Sequence, residues 1–355
     1  MYYLIVEKIH QNIFGGKIRM YIVAEIGCNH NGDANLAHKM IEVAKKCGVD
    51  AVKFQTFNSK ELISKYATKA EYQKVTTGAD ESQLDMIAKL ELSHKDYIEL
   101  KEFANKINID IFSTAFDIES IDFLYKNGQT IWKIPSGEIT NLPYLEKIST
   151  LNPAKIILST GMSTIAEIRS AIEILGDKQD ITILHCNTEY PTEDKDVNLN
   201  AILDLKMQFP NYEIGFSDHS IGITAGIASV AYNITFIEKH FTLDKNFYGP
   251  DHKASITEDE LRDFCMQIRR AEMMLGNSTK MVTHSEMKNK AIARKSIVAR
   301  KNIKQGETFS IDNITTKRPG NGISPMEWNT VLGKVAEKDF EADELLMVRG
   351  MQWQN

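Results

Sequence analysis

Eight short apolar runs, each followed directly by polar residues and then by a stretch of helical length, restrict this chain more than any other feature it carries. The runs fall at 21–26, 51–54, 109–112, 130–134, 155–158, 181–184, 212–216 and 234–237, and they favour strand. Helical segments at 34–47, 95–106, 118–127, 142–151, 165–175, 200–209, 221–232 and 258–275 alternate with them. Asp33, Ser93 and Thr257 are placed to cap helices, and Gly48, Gly128, Gly176 and Gly276 to stop them. Segment 58–92 is polar, with little strand character, and reads as an excursion over one rim. Parallel strands joined by helices gather all their C-terminal ends on one face. An open doubly wound sheet is one solution. An α/β fold closed as a (β/α)8 TIM barrel ending near residue 276 is the better one, because eight repeats fill the roughly 250 residues such a barrel takes.

Past Gly276 the pattern changes. Residues 277–290 are polar and charged and read as a linker. Residues 291–355 show short alternating stretches broken by turn signals such as Lys304-Gln305-Gly306 and Pro319-Gly320, which predicts a small β-rich domain docked on a larger body. Residues 1–19 hold no motif. They are expected to be an N-terminal extension outside the fold, with the barrel domain at 20–276 and Met20 as its natural start.

Composition excludes several roles. A net charge of −6 gives no general affinity for nucleic acid or an acidic membrane surface, so an anionic substrate needs a few local cations. Cys28, Cys47, Cys186 and Cys265 follow no zinc or disulfide spacing, which suits a reducing cytoplasm. No apolar run approaches the roughly 18 residues of a membrane span.

The chemistry collects at the strand ends. Glu25 closes the first strand, and Lys53 and Lys133 lie at the ends of the second and fourth. Ser113, Thr114, Ser136, Ser159, Thr160 and Ser217 add hydroxyls, and Tyr190 stands beyond the sixth. Lysines, hydroxyls and Gly-containing turns at helix N-termini suit a phosphate and a carboxylate. His219 and His240 end the last two strands and suit a borderline divalent metal. Singly, a barrel lysine reads as a rim ion pair and Ser-Thr-Gly as a helix cap. Their joint occurrence on successive strand ends reads as a site.

The motifs VAEIGCNHNG (23–32), VKFQTF (52–57), KIPSGE (133–138), LSTGM (158–162), LHCNTEYPT (184–192), GFSDHS (215–220), IEKHFTLDK (237–245), GPDH (249–252) and TKRPGNGI (316–323) carry a close resemblance. The chain resembles the bacterial N-acetylneuraminate (sialic acid) synthases from Met20 to about Leu346. The last motif lies in a segment similar to the antifreeze-like SAF domain, a β-clip. The resemblance implies a metal-dependent condensation of phosphoenolpyruvate with N-acetylmannosamine and water, releasing phosphate by C–O cleavage. The metal implied is manganese, with magnesium or cobalt as alternatives. His219 and His240 match the metal ligands, and Glu25 matches the carboxylate beside the reacting carbons. Lys53, Thr114, Lys133, Ser136, Ser159, Tyr190 and Ser217 match phosphoenolpyruvate contacts. Thr188 takes a position where some sialic acid synthases have Asn. Gln55, Asp251 and Arg318 match aminosugar contacts, Arg318 being supplied by the partner's SAF domain in a domain-swapped homodimer. Sister synthases of legionaminic and pseudaminic acids share most of these motifs, and the Thr-Glu-Tyr-Pro form occurs among legionaminate synthases. A diacetylamino-trideoxy hexose is therefore the alternative substrate. A glycan- or ice-binding protein is the non-enzymatic alternative, against which the convergent charged rim counts.

Overall fold

Eight strands pair in parallel in the computed structural model, which describes residues 13–14, 17–78, 80–176 and 179–353. They are β1 (Tyr21–Gly27), β2 (Ala51–Thr56), β3 (Asp110–Ala115), β4 (Ile131–Ile134), β5 (Lys155–Ser159), β6 (Ile181–Cys186), β7 (Glu213–Asp218) and β8 (Phe236–His240). Hydrogen-bonded neighbours run β3-β2-β1-β8-β7-β6-β5-β4, a nearly closed TIM-type barrel. Residues 1–12 and 15–16 of the expected extension lie outside the described residues. Ile13–Phe14 pairs antiparallel with Lys17–Ile18 ahead of β1.

Side-chain parity decides what the barrel encloses. Successive strand residues face opposite sides, so one face repeats every second residue. Tyr21, Val23, Ala51, Phe112, Ile131, Ile157, Leu184 and Phe236 form an apolar plug inside the barrel. Steps of two residues along those strands then reach Glu25, Lys53, Thr114, Lys133, Ser159, Cys186 and Glu238. The opposite faces (Ile22, Val52, Ile134, Ile156, Ile183, Ile214 and Ile237 among them) join the helices in the main core.

The helices form for local reasons. In α1 (Ala34–Cys47), the Asp33 carboxylate accepts the N–H groups of Asn35 and Leu36, and Gly48 ends the helix at φ +92°. Its Met40 and Ile41 are fully buried, each worth roughly 1.5–3 kcal/mol. The excursion holds three short helices, α2 (Ser59–Leu62), α3 (Glu71–Thr77) and α4 (Gln83–Ala88). Then come α5 (His94–Lys106), α6 (Ile118–Lys126), α7 (Leu142–Thr150), α8 (Ile165–Leu175), α9 (Ala201–Gln208), α10 (Thr224–Ser229) and α11 (Glu258–Met274). Among the described residues no helix is long and apolar enough to cross a membrane.

Two expectations shift. The strands run further than their apolar runs, so Ser113, Thr114, Cys186, His240 and their kind are strand residues rather than loop residues. Backbone pairing continues past the last apolar side chain, as in Gln55 beside Thr114 and His240 beside Glu25. The 277–290 segment is not wholly linker: α12 (His284–Ala293) begins within it, with a capping box in which the Thr283 side chain accepts the Glu286 N–H.

The chain separates into two compact units, Met1–Gly276 and Asn277–Asn355. In the second, β9 (Ser296–Ala299) pairs antiparallel with β10 (Ile314–Lys317), followed by the short helix α13 (Trp328–Val331). Ile297, Ile303, Phe309, Ile314, Phe340 and Leu346 form its core.

Candidate active site

The inward-facing residues at the C-terminal ends of the strands surround a cavity of about 360 Å³. At its floor four buried charges alternate in sign. The Lys53 ammonium lies 2.8 Å from Glu25 Oε2 and 3.7 Å from Glu238 Oε2, and the Lys133 ammonium lies 3.8 Å from Glu238 Oε1. Hydroxyls hold the cations in place: Lys53 donates to Thr114 at 3.1 Å and Lys133 to Ser159 at 2.7 Å. Ser217 donates to Glu238 at 3.2 Å. Gln55 Nε2 donates to Glu25 Oε1 at 3.2 Å.

These neighbours set the protonation of the floor. Burial pushes Glu25 up to about 7, with the Glu238 charge adding to the shift and Lys53 opposing it. Burial would also raise Glu238, yet Lys133 and Lys53 outweigh it and hold that carboxylate below its ordinary range. Burial draws Lys53 down, but Glu238 and Glu25 more than restore it. Lys133 stays lowered, because burial exceeds the help it gets from Glu238. The floor thus keeps Glu238 ionised between two cations and leaves Glu25 near the point of proton exchange.

Above the floor two imidazoles face each other, with ring centroids 5.4 Å apart. His219 Nδ1 pairs with the Asn187 carbonyl at 2.5 Å, which makes Nδ1 the protonated nitrogen and leaves the Nε2 lone pair toward Ser217, 3.1 Å away. His240 Nδ1 is buried without a hydrogen-bond partner, 3.8 Å from Asp251 Oδ2. Burial pushes His219 down to about 4 and His240 well below its usual value, so both rings are neutral. Burial lifts Asp251 to about 6. The Tyr190 ring packs over His219 at 4.1 Å and edge-on to His240 at 5.5 Å.

The β5 turn closes the far wall. The Gly161 N–H donates to Ser136 Oγ at 3.0 Å and to Cys186 Sγ at 3.2 Å. A Cβ on Gly161 would stand 2.7 Å from Thr188 Cγ2 and 2.9 Å from Ser136 Oγ, so this approach needs glycine.

A NeuB family model matches residues 40–280, and a SAF domain model matches residues 294–347. The chain belongs to the NeuB family. It is 54% identical over 329 residues to the N,N'-diacetyllegionaminic acid synthase of Campylobacter jejuni, covering 92% of this chain and 98% of that one. It is 40% identical over 339 residues to the synthase of the same name from Legionella pneumophila, covering 94% and 95%. A crystal structure of N-acetylneuraminic acid synthetase from Leptospira borgpetersenii, in complex with citrate, superposes with a TM-score of 0.67 at 32% identity, covering 78% of this chain and 94% of that one. This NeuB-family chain is an enzyme, a nonulosonic acid synthase.

Of the residues singled out in the sequence, Glu25, Lys53, Gln55, Thr114, Lys133, Ser136, Ser159, Thr188, Tyr190, Ser217, His219, His240 and Asp251 all line the one cavity. Arg318 belongs to the second unit, where its Nε donates to the Ala293 carbonyl at 3.0 Å. Two carboxylates in the cavity went unassigned. Glu238 bridges the lysines, and its parity with His240, two residues on, was the signal that could have found it. Glu138 lines the wall above Lys133, raised by burial while accepting from Asn141 at 2.6 Å. Gln73 and Gln83 also line the cavity, and no periodicity linked them to it.

Among the described residues no cluster of three or more His, Cys, Asp or Glu is arranged to hold a metal ion. Two neutral imidazoles, one with an orphaned buried nitrogen, nonetheless fit a divalent cation whose remaining positions are water or substrate.

Proposed function

We propose that this enzyme condenses phosphoenolpyruvate with a diacetylamino-trideoxy hexose to give an N,N'-diacetyllegionaminate-type acid and phosphate. N-acetylmannosamine, the first expectation from the sequence, becomes the second reading. What carries the choice is the identity to two diacetyllegionaminic acid synthases, 54% and 40%, against 32% to the sialic acid synthetase of known structure.

The floor supports this chemistry. Lys53 and Lys133 supply the positive charge that a phosphate and a carboxylate need in a chain of net charge −6. Thr114, Ser136, Ser159, Thr188, Tyr190 and Ser217 orient those groups around the lysines. C3 of the enol phosphate attacks the aldehyde carbon of the open-chain sugar, and positive charge develops at C2. Water adds there, and the C–O bond to phosphate breaks. Glu25, poised near neutral pH, faces that charge and takes up the proton of the incoming water. Gln55 and Asp251 orient the sugar from above Glu25. His219 and His240 would hold a divalent metal, manganese first and magnesium or cobalt next, which supplies Lewis-acid polarisation of the aldehyde oxygen. Arg318 would meet the sugar from the SAF domain of a partner subunit in a homodimer.

Phosphate release from phosphoenolpyruvate, measured with each sugar in turn, tests the reading. Turnover with the diacetylamino sugar well above that with N-acetylmannosamine supports it. The reverse order restores the sialic acid reading, and no sugar-dependent release with either contradicts both.

A further inference from the structure

We infer that the upper wall of the cavity is an apolar subsite for the deoxygenated, methyl-bearing end of the sugar. It is built by Phe57 and Phe116, just past the ends of β2 and β3, and by Leu62, Ile63 and Ile87 from the excursion. The inference rests on the synthase reading above and adds what selects the sugar. Along β2 the inward face steps from Lys53 to Gln55, about 6.6 Å along the strand, and Phe57 lines the cavity directly after the strand ends at Thr56. Charge lies deepest, a carboxamide comes next and a phenyl ring stands outermost. Phe116 likewise lines the cavity directly after β3 ends at Ala115, beyond Thr114. The two rings meet edge to face, centroids 6.4 Å apart and planes at 83°. Phe57 is buried with Cys28 and Leu90, and Leu62, Ile87 and Phe116 pack on that cluster while staying partly open. Phe57, Phe116, Leu62, Ile63 and Ile87 all line the cavity.

A wall of this kind discriminates between sugars. With the aldehyde carbon above Glu25 and level with Gln55, an extended six-carbon chain spans about one such step, which brings its far end to Phe57 and Phe116. A terminal hydroxyl there loses water against phenyl and isoleucine surface and is left short of partners, whereas a terminal methyl loses nothing and buries apolar area. Gln73 and Gln83 line the same cavity, with Gln83 Nε2 3.5 Å from Gln73 Oε1. Their carboxamides can donate to the C=O and accept from the N–H of an acylamino group.

The test compares two sugars differing by one oxygen, N-acetylmannosamine and its 6-deoxy analogue, using kcat/KM for phosphate release. The wild-type enzyme is expected to favour the 6-deoxy sugar by about tenfold or more, the scale on which an apolar pocket rejects an added hydroxyl. Ile87→Asn and Leu62→Asn, both at partly exposed positions, are expected to bring that ratio toward one by losing activity on the 6-deoxy sugar, with KM for phosphoenolpyruvate unchanged. A wild-type ratio near one overturns the subsite while leaving the synthase reading intact, and needs no variant. Equal losses on both sugars in the variants also overturn it. Failure of the wild-type enzyme to release phosphate with these two sugars and with the diacetylamino-trideoxy hexose alike overturns the reading beneath it as well.

Discussion

Glu238 sits between Lys53 and Lys133, its two carboxylate oxygens 3.7 and 3.8 Å from their ammonium nitrogens. The three groups come from β8, β2 and β4, and all are almost fully buried. Removing the central anion leaves two buried cations with Glu25 alone as counter-charge. Glu238→Gln is therefore expected to destabilise the barrel by about 3 kcal/mol, the scale of a broken buried ion pair. It should also lower the Glu25 pKa, because the Glu238 charge helps to raise it. Urea denaturation and carboxyl titration by NMR check the two effects. An unchanged midpoint would show that the lysines do not depend on Glu238.

Glu25 makes stability depend on pH. Its folded pKa is about 7 against an ordinary 4.5, so the folded state binds this proton more tightly than the unfolded chain does. Its contribution is fully present below about pH 4.5 and is lost as pH rises through 7, a swing of roughly 3 kcal/mol. Glu25→Gln does not titrate. Its melting temperature should gain on that of the wild-type protein between pH 5 and pH 8, while its activity is lost. A gap in melting temperature that stays constant with pH contradicts the raised pKa.

Metal removal follows from the two-histidine arrangement. A cation held by only two protein ligands exchanges readily with a chelator. Dialysis against EDTA should abolish turnover and added manganese should restore it, without a change in far-UV circular dichroism. His240→Ala should stay inactive at any manganese concentration. Full activity in excess chelator would sink the metal assignment.

Arg318 gives a test of subunit exchange. Glu25→Gln and Arg318→Ala, each inactive, are unfolded and refolded together in equal amounts. If Arg318 serves the partner's site, half the dimers are mixed and each carries one site with both native residues, so about a quarter of wild-type activity returns. A dead mixture in which mixed dimers are confirmed by mass means that Arg318 does not act in trans.

Much of the barrel is legible because each strand begins with an apolar run and most of the longer helices carry their own cap, as Asp33 and Gly48 do for α1. The strand ends are not legible, since Thr114 and His240 look like loop residues until the neighbouring strand supplies their pairing. Glu238 was passed over because its meaning lies in two lysines more than a hundred residues away in sequence. Leu62, Gln73, Gln83 and Ile87 carried no local signal, since only tertiary folding brings the excursion over the cavity. The helix at 284–293 could have been read from Thr283 and Glu286, a capping box in an otherwise polar stretch.

The identity of the sugar is tested most directly by competition. The enzyme is given limiting phosphoenolpyruvate with equal amounts of N-acetylmannosamine and the diacetylamino-trideoxy hexose, and the products are resolved by mass. The diacetyllegionaminate-type acid is predicted to dominate by about tenfold or more. Predominance of N-acetylneuraminic acid, or no condensation product at all, would contradict the account.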